Sequence, residues 1–410
     1  MELEIQVPCA EGQTHPVRLR FTGWGKYEVV YNPCEDMAAC THYIESGGSD
    51  ENDRVAFRVL GALPQAGVSA VPLLIEALRD SDWEVRCAAA HALGQIRASE
   101  VIPILIAALN DEDPDVRHTV VATLADSRDP QATDALVRAL HDPDPAVRDE
   151  AQRGLINIGA PAVEALASLL HNPDSQIRRV AAGALRNIPG TAPLLVQCLD
   201  DSAWEVRCEG IWGLQEQRVS SAVPSLIRAL RDIDFAVRSA ACAALGAIGD
   251  PQAVQALIES LKDTNEWVRV AAAETLGELG DSRAVPALIE LLQDSSQYVR
   301  SEAAESLGKI GDPRAVSALI QTLEDSEWWP QMVAAESLGK IGDPRAVPAL
   351  LPKLKSIWWG VRRAAARSLG KIGDPRAVPA LTEALEDEQN RGTVVVDTIK
   401  TALGEFGSRL

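Results

Sequence analysis

Cysteine and histidine are the side chains of this sequence that could react as nucleophiles or bind a metal ion. Cys208, near the middle of the chain, is the candidate nucleophile, although its thiol pKa does not follow from the sequence. The residues near the N-terminus that could converge on zinc are Cys9, Cys34, Cys40 and His42. Their spacing is irregular and contains no Cys-x-x-Cys pair, so we predict no metal site. Because phosphate-loop and Gly-x-Ser-x-Gly motifs are also missing, Cys208 stays the one catalytic candidate.

Aromatic residues are the candidates for binding rather than for reaction. The chain has nine tryptophans against four tyrosines and four phenylalanines, so tryptophan dominates its aromatic surface. The predicted binding aromatics are Trp204, Trp212, Phe235, Trp328, Trp329, Trp358 and Trp359. Core packing does not explain two adjacent Trp-Trp pairs, and exposed aromatic clusters often anchor a partner or a flat ligand. We therefore predict that the last four tryptophans form a binding patch.

A repeated unit of about 31 residues positions these side chains. One copy runs from Ala284 to Arg314, and its two halves both carry apolar residues at helical spacing. Pro286 fits the first turn of the first helix, helix A. Gly311 fits a left-handed cap after the second helix, helix B, and Pro313 prevents the helix from continuing. A unit of this size cannot bury its own apolar face, so consecutive copies must stack.

The repeat reads D-x-x-x-V-R-x-x-A-A-x-x-L-G-x-I-G-D-P-x-A-V-P-x-L and resembles the HEAT-like repeats named after phycobilisome lyases. The resemblance covers roughly residues 68–410 and implies an all-α fold, a right-handed α-α superhelix of about eleven helix pairs. It also implies that helix B lines the concave face. Short alternating stretches predict a small β-rich N-terminal cap in residues 1–50, followed by the solenoid in residues 51–410.

Each predicted helix B begins with the same set of polar residues. Its N-cap residues include Asp82, Asp113 and Asp234. An arginine lies four positions after the N-cap residue. An acid or amide lies two positions before the N-cap residue. We expect the arginine of one unit to bond the turn carbonyls and aspartate of the next. This ladder is interrupted where Gln331 replaces the arginine and Ser356 replaces the aspartate.

The face of helix B opposite the core carries charge in zones. Cys87 and His91 define this stripe, which continues through residues such as Cys208, Ser301 and Met332. The charged residues predicted to contact a partner are Glu274, Glu305 and Glu336, followed by the basic pair Arg363 and Arg367. These zones would set the register of a bound partner.

Composition limits the classes of partner. The net charge is −20 and the pI is about 4.8, which disfavours nucleic acids and anionic membranes. Because no apolar run is long enough to span a bilayer and no signal peptide is evident, we expect a cytoplasmic protein. The seven scattered cysteines fit a reducing compartment.

Two functional hypotheses remain open. The first is a non-catalytic scaffold that binds a protein partner in its groove; a phycobiliprotein or another photosynthetic-complex subunit is the partner that the resemblance suggests, which would make the protein an assembly factor. The second, also implied by the resemblance, is an E/F-type phycobilin lyase or bilin chaperone. In that case Trp204, Trp212 and Phe235 would stack on a linear tetrapyrrole, and Arg179 or Arg207 would bind a propionate. The first hypothesis requires no cofactor, and the second requires a bilin.

Overall fold

A computed structural model describes the backbone of residues 2–8, 14–23, 26–31, 63–391 and 394–407. The chain divides into two compact units, Met1–Thr191 and Ala192–Leu410. Both units contain antiparallel pairs of helices in regular succession, which confirms the predicted all-α solenoid. The division follows the Pro189-Gly190-Thr191 turn, one of the turns in which the Gly-Asp-Pro consensus is replaced.

Three antiparallel strands lie near the N-terminus. They are β1 (Glu2–Pro8), β2 (Thr14–Gly23) and β3 (Lys26–Tyr31), with β2 in the middle. Ile5 pairs with Val17, and Arg20 pairs with Glu28. Residues 32–62, the linker before the first repeat included, lie outside the described part, so the role of these strands as a cap stays a prediction. The candidate metal ligands Cys9, Cys34, Cys40 and His42 also lie outside the described residues.

Unit 1 contains four helix pairs within its described residues, preceded by a 3-10 segment at Leu63–Ala70. Odd-numbered helices are helix A of each pair and even-numbered helices are helix B. The pairs are α1 (Val71–Ala77) with α2 (Trp83–Ile96), α3 (Ile102–Ala108) with α4 (Pro114–Ser127), α5 (Thr133–Ala139) with α6 (Pro145–Ile158), and α7 (Val163–Leu169) with α8 (Ser175–Arg186).

Unit 2 contains seven helix pairs within its described residues. They are α9 (Ala192–Cys198) with α10 (Trp204–Glu216), α11 (Val223–Ala229) with α12 (Phe235–Ile248), α13 (Val254–Ser260) with α14 (Glu266–Leu279), α15 (Val285–Leu291) with α16 (Gln297–Ile310), α17 (Val316–Thr322) with α18 (Trp328–Ile341), α19 (Val347–Leu350) with α20 (Trp359–Ile372), and α21 (Val378–Arg391) with α22 (Val395–Gly407). The predicted number of about eleven repeats is therefore confirmed.

The helix boundaries follow from their capping residues. Asp82 and Asp234 accept a hydrogen bond from the backbone N–H two residues ahead, as predicted for N-caps. Ser296 also occupies an N-cap position but makes no such side-chain bond. At the other end of the repeat, Gly311 adopts a φ of 75°, so it provides the predicted left-handed cap of α16. Pro286 lies in the first turn of α15 as predicted.

The core of each pair consists of aliphatic side chains from both helices. In the repeat of α15 and α16, the fully buried residues are Val285, Leu288, Val299, Ala303 and Leu307. Burying each of the larger ones contributes about 1.5–3 kcal/mol to stability. Because these residues recur in every repeat, stacking extends one continuous apolar layer within each unit.

Successive B helices of unit 2 approach each other closely through small residues. A Cβ added at Gly308 would lie 2.6 Å from the Ser337 Cβ, and one added at Gly277 would lie 2.8 Å from the Ser306 Cβ. The Ser306 hydroxyl donates to the Ala273 carbonyl of the preceding B helix at 2.8 Å. The Ser-Leu-Gly segment of the repeat therefore sets the distance between consecutive B helices.

Candidate functional site

A ladder of arginine–aspartate pairs fixes the start of most B helices. Arg269 donates from Nε and Nη2 to the Asp294 carboxylate at 2.8 and 2.9 Å, and from Nη1 to the carbonyls of Asp263 and Thr264. Equivalent bidentate pairs are Arg86–Asp111, Arg117–Asp142, Arg207–Asp232, Arg238–Asp263 and Arg300–Asp325. Partial burial opposes ionisation of Asp294, but the hydrogen bonds from Arg269 and a backbone N–H prevail and lower its pKa. The predicted pairing of each such arginine with the aspartate of the next repeat is therefore confirmed, whereas the carbonyls that it bonds belong to its own turn and not to the next one.

The predicted interruption of the ladder also occurs. Gln331 reaches only its own turn, where its amide donates to the Asp325 carbonyl at 2.6 Å. The Ser356 hydroxyl accepts a long bond from the Trp358 N–H at 3.3 Å, at the position where an aspartate accepts in other units. The arginine of the next B helix, Arg362, pairs with Glu388 instead of an aspartate. The turns around Trp328 and Trp358 are thus less tightly fixed than their neighbours.

The aromatic residues at the start of helix B are exposed, as predicted. Trp204, Phe235, Trp328 and Trp359 each occupy the first position of their helix, and Trp359 keeps 53% of its surface exposed. Trp358 is the N-cap of α20 and is likewise exposed. The first position of helix B thus places these rings at the protein surface, whereas the third position, Val299 in α16, lies in the core.

Three aromatic rings in unit 2 form a row that the sequence analysis did not recognise. Trp267, Tyr298 and Trp329 occupy the second position of α14, α16 and α18. The ring centroids of Trp267 and Tyr298 are 5.7 Å apart, and those of Tyr298 and Trp329 are 5.6 Å apart with the planes nearly perpendicular. We call these three residues the aromatic row. Comparing second positions between repeats, rather than only first positions, would have revealed it.

An open cleft with a volume of about 770 Å³ lies along the first two rings of the aromatic row. Trp267 and Tyr298 contribute aromatic walls, and Glu266 and Glu327 contribute carboxylates. The hydroxyl residues at the cleft are Thr264, Ser295, Ser296 and Ser326. Its two arginines, Arg269 and Arg300, are engaged by the ladder. The cleft therefore combines aromatic surface with hydrogen-bonding and acidic groups.

The aromatic row does not continue onto α20, the B helix that follows α18. Gly360 occupies the second position of this helix, where the preceding helices have an aromatic residue. A Cβ at Gly360 would lie 3.1 Å from the Met332 Sδ and 3.8 Å from the Trp328 ring, so these side chains cover the glycine. The Arg363 guanidinium lies 5.3 Å from the centroid of the Trp359 ring, a cation–π contact.

Acidic residues lie two helical turns beyond the aromatic row. Glu274, Glu305 and Glu336 are each seven residues after a ring of the row, which places them on the same helix face. Lys309 forms an ion pair with Glu305 at 3.5 Å. Burial raises the pKa of the nearby Glu302 to about 6, with Glu305 and Glu274 adding to the rise and Lys309 opposing it. Arg363 and Arg367 occupy the corresponding face of α20.

Two residues placed on the exposed stripe by the sequence analysis are buried. Cys208 is only 1% exposed, and burial raises the pKa of its thiol to about 12. The expectation that it faces a ligand is therefore wrong, and such a thiol is protonated at neutral pH. Ser301 is also buried. Both are the fifth residue of their helix, a position that is only half-buried in α2 and α18, where Cys87 and Met332 occupy it. Trp212, four residues after Cys208, remains exposed.

A different cleft of about 750 Å³ lies in unit 1, at the ends of α2 and α4. Arg97 and Arg128 line it, and both have the positive φ that glycine adopts in most other repeats. Its floor contains Ile102 and Leu105, which are buried. None of the binding residues predicted from the sequence lies there.

Neither a membrane segment nor a metal cluster is found among the residues that the structure describes. No helix there is long and apolar enough to cross a bilayer. No group of three or more His, Cys, Asp or Glu side chains in that part is arranged to hold a metal ion.

Solved structures of Kap121p and Kap95p share this fold. Kap121p bound to Pho4p matches with a TM-score of 0.66 and 13% identity over 89% of this chain and 49% of that protein. Kap95p, the yeast importin-β, in its complex with RanGDP matches with a TM-score of 0.58 and 16% identity, over 92% of this chain and 62% of that one. The chain thus spans less than two thirds of these proteins, and at such identities the likeness shows the fold alone.

Sequence comparison identifies the family of this chain but no individual curated relative. The CpcE–CpcF phycocyanin lyase complex from Nostoc is 28% identical over 53% of this chain and 94% of that one, but its TM-score of 0.36 is too low to support a shared function. No curated protein matches the chain in sequence. The family model for HEAT repeats matches residues 42–112, 102–186, 192–269, 255–330 and 316–396, which together are more than half of the chain. The chain belongs to the HEAT-repeat family.

Proposed function

We propose that the protein is an interaction scaffold that binds a partner protein on the aromatic row of unit 2. The observation that carries the proposal is the contact of Trp267, Tyr298 and Trp329 across three consecutive repeats on an exposed surface. Aromatic side chains that stay exposed on a folded protein commonly become the buried anchors of an interface. The cleft along the row would allow a partner to bury these rings more fully than a flat surface would.

Rigidity of the surface supports the same function. The Arg269–Asp294 and Arg300–Asp325 pairs hold the turns that precede α16 and α18, on which the row is built. The rings also restrain one another, so less side-chain freedom is lost when a partner binds. A preorganised aromatic surface gives more affinity for the same buried area.

The structural neighbours are consistent with a scaffold but do not identify its partner. Kap121p and Kap95p were solved with bound proteins, so this fold does present protein-binding surfaces. Their identity to this chain is too low to transfer a partner. Assembly of a photosynthetic antenna therefore rests on the resemblance of the repeat alone, and a cytoplasmic location stays a prediction.

The bilin-lyase alternative receives less support from the geometry. Cys208 is buried with a raised pKa, so the proposed nucleophile is poorly suited to accept a chromophore. Arg207 already pairs with Asp232, which leaves it less available for a propionate. Mixing the protein with phycocyanobilin should leave the visible spectrum of the bilin unchanged. A sharpened and red-shifted band would favour the lyase over the scaffold.

Site-specific photo-crosslinking in cells tests the scaffold proposal. A photoreactive phenylalanine analogue would replace Tyr298 in the aromatic row or, as the control, Gln321 on the exposed face of α17 in an adjacent repeat. We expect a discrete crosslinked protein from position 298 and none of the same size from position 321. Equal crosslinking at both positions, or none at position 298, would argue against the row as an interface.

A further inference from the structure

We infer that the aromatic row receives a basic, extended segment of the partner with a lysine or arginine at about every third residue. This inference rests on the proposed function and adds the chemistry of the segment that docks. It follows from the charges at the cleft, the arrangement of the rings and the spacing of the B helices.

The charges that remain available at the cleft are negative. Arg269 and Arg300 line it, but each is held by two hydrogen bonds to the carboxylate of an aspartate in the next repeat. Glu327 is exposed, and Glu266 is half-buried. A cationic side chain entering the cleft would thus meet carboxylates and hydroxyls, while the cations at its wall are already neutralised. The net charge of −20 adds long-range attraction for a basic partner.

The rings favour aliphatic stems that end in a cation. Their centroids lie 5.6 and 5.7 Å apart, so no flat ring can insert between them, and a partner must lie across their outer faces. Lysine and arginine fit such a surface because their methylene stems cover the ring while their charge interacts with its π-electrons. The protein contains its own example of this contact, since Arg363 lies over Trp359.

The spacing of the repeats determines the register of the segment. Packed helices lie about 8–10 Å apart, and an extended chain advances about 3.3 Å per residue. Every third residue of an extended segment therefore meets a new B helix. Each of α14, α16 and α18 presents one ring to that residue. The carboxylates of Glu274 and Glu336 lie two turns further along α14 and α18, whereas that of Glu305 is already paired with Lys309. Beyond them, Arg363 and Arg367 on α20 would repel a cation, which limits the segment to the preceding helices.

Fluorescence anisotropy with short labelled peptides tests the inference. One peptide carries lysine at every third residue between glycine and serine, and two matched peptides carry glutamate or serine at the same positions. We expect the lysine peptide to bind at least about tenfold more tightly than either control, and its affinity to fall when salt rises from about 0.1 M to about 0.5 M. Equal binding of the serine peptide, or no binding of the lysine peptide, would overturn the inference.

Two protein variants locate the binding. Glu266→Gln with Glu327→Gln removes the charge of the cleft, and Trp267→Ala with Trp329→Ala removes the outer rings. We expect each double variant to bind the lysine peptide about tenfold more weakly. Trp83→Ala with Glu84→Gln, at the start of a B helix in unit 1, is the matched control and should bind normally. Unchanged affinity in both cleft variants would overturn the assignment.

The outcomes separate this inference from the function on which it rests. If crosslinking at position 298 captures a partner but the lysine peptide does not bind, the scaffold proposal stands and the inference about charge is wrong. If the native protein forms a dimer that dissociates in the Trp267→Ala, Trp329→Ala variant, a second copy occupies the row and the inference is also wrong. Light scattering measures that state directly.

Discussion

Tyr298 contacts Trp329 of the next repeat edge to face, with ring centroids 5.6 Å apart. The two residues occupy the same position in consecutive B helices. Their contact therefore joins the exposed aromatic rings of single repeats into one continuous surface. Trp267 extends the surface by one more repeat. A HEAT-repeat chain with many near-identical units thus acquires one region that differs from the others, and that region is where we expect the partner.

Removing one member of the arginine ladder should destabilise the protein. Arg269→Ala would remove both arginine bonds from the partly buried Asp294 carboxylate, which keeps only the Ser296 N–H and the Ser295 hydroxyl as donors, and the arginine bonds to two turn carbonyls, at a cost of about 2–3 kcal/mol. Urea denaturation followed by circular dichroism measures the change. Arg283→Ala is the matched control, because Arg283 forms an exposed pair with Asp281 and should have no measurable effect. Equal midpoints for the two variants would show that the ladder contributes little.

The close approach of the B helices gives a second prediction. Gly308→Ala should cost about 1–3 kcal/mol, because the new Cβ would lie only 2.9 Å from the Ser337 Cα and force the helices apart. Gly404→Ala is the control in α22, where no atom lies within 4 Å of the new methyl group. That substitution should stabilise its helix by about 0.5–1 kcal/mol. Thermal melts of both variants should therefore shift in opposite directions, and a shift in the same direction would contradict the packing described.

Left-handed arginines give a third prediction. Arg97, Arg128 and Arg218 have φ values of 53°, 54° and 48° at the ends of B helices, where other repeats have glycine. A side chain is disfavoured in this conformation, so replacing each arginine by glycine should raise stability by about 0.5–1 kcal/mol. Differential scanning calorimetry of the triple variant measures the sum. A lowered transition temperature would indicate that these arginines make compensating contacts.

Glu302 should make stability depend on pH between about 4.5 and 6. Burial raises its pKa from 4.5 to about 6, so the folded state favours the protonated form. Its stabilising effect is complete below pH 4.5 and is lost as the pH rises through about 6, a change of about 1 kcal/mol after allowance for solvent screening. Glu302→Gln should therefore be more stable than the native protein at pH 7 but not at pH 4. Against the opposing effect of burial, hydrogen bonds from the ladder arginines lower the pKa of Asp111, Asp142, Asp263, Asp294 and Asp325, so these carboxylates titrate below this window. An equal difference at both pH values would rule out Glu302 as the cause.

The sequence allowed the helices and their caps to be predicted because those features depend on nearby residues. Pro114 and Asp113 define the start of α4 within a single turn, and Gly311 defines the end of α16 in the same way. The Arg–Asp ladder was also predictable, since its two members recur 25 residues apart in most of the repeats. The helix caps were predictable from neighbouring residues, and the ladder was predictable from the repetition of the unit.

Contacts between repeats were harder to predict. Cys208 and Ser301 occupy the predicted exposed stripe of their own helices, yet both are buried in the stacked repeats. Trp267, Tyr298 and Trp329 share the second position of their helices, which the sequence shows, but their contact depends on how one helix is placed against the next. The spacing between helices therefore decided which residues of the stripe are available to a partner.

Affinity of the captured partner for the Trp267→Ala, Trp329→Ala variant is the most direct test of the aromatic row. Titration calorimetry would compare it with the native protein and with Trp83→Ala, while circular dichroism confirms that all three are folded. We predict that the double variant binds at least about tenfold more weakly, whereas Trp83→Ala binds like the native protein. Native affinity in the folded double variant would contradict the assignment of the row as the docking surface.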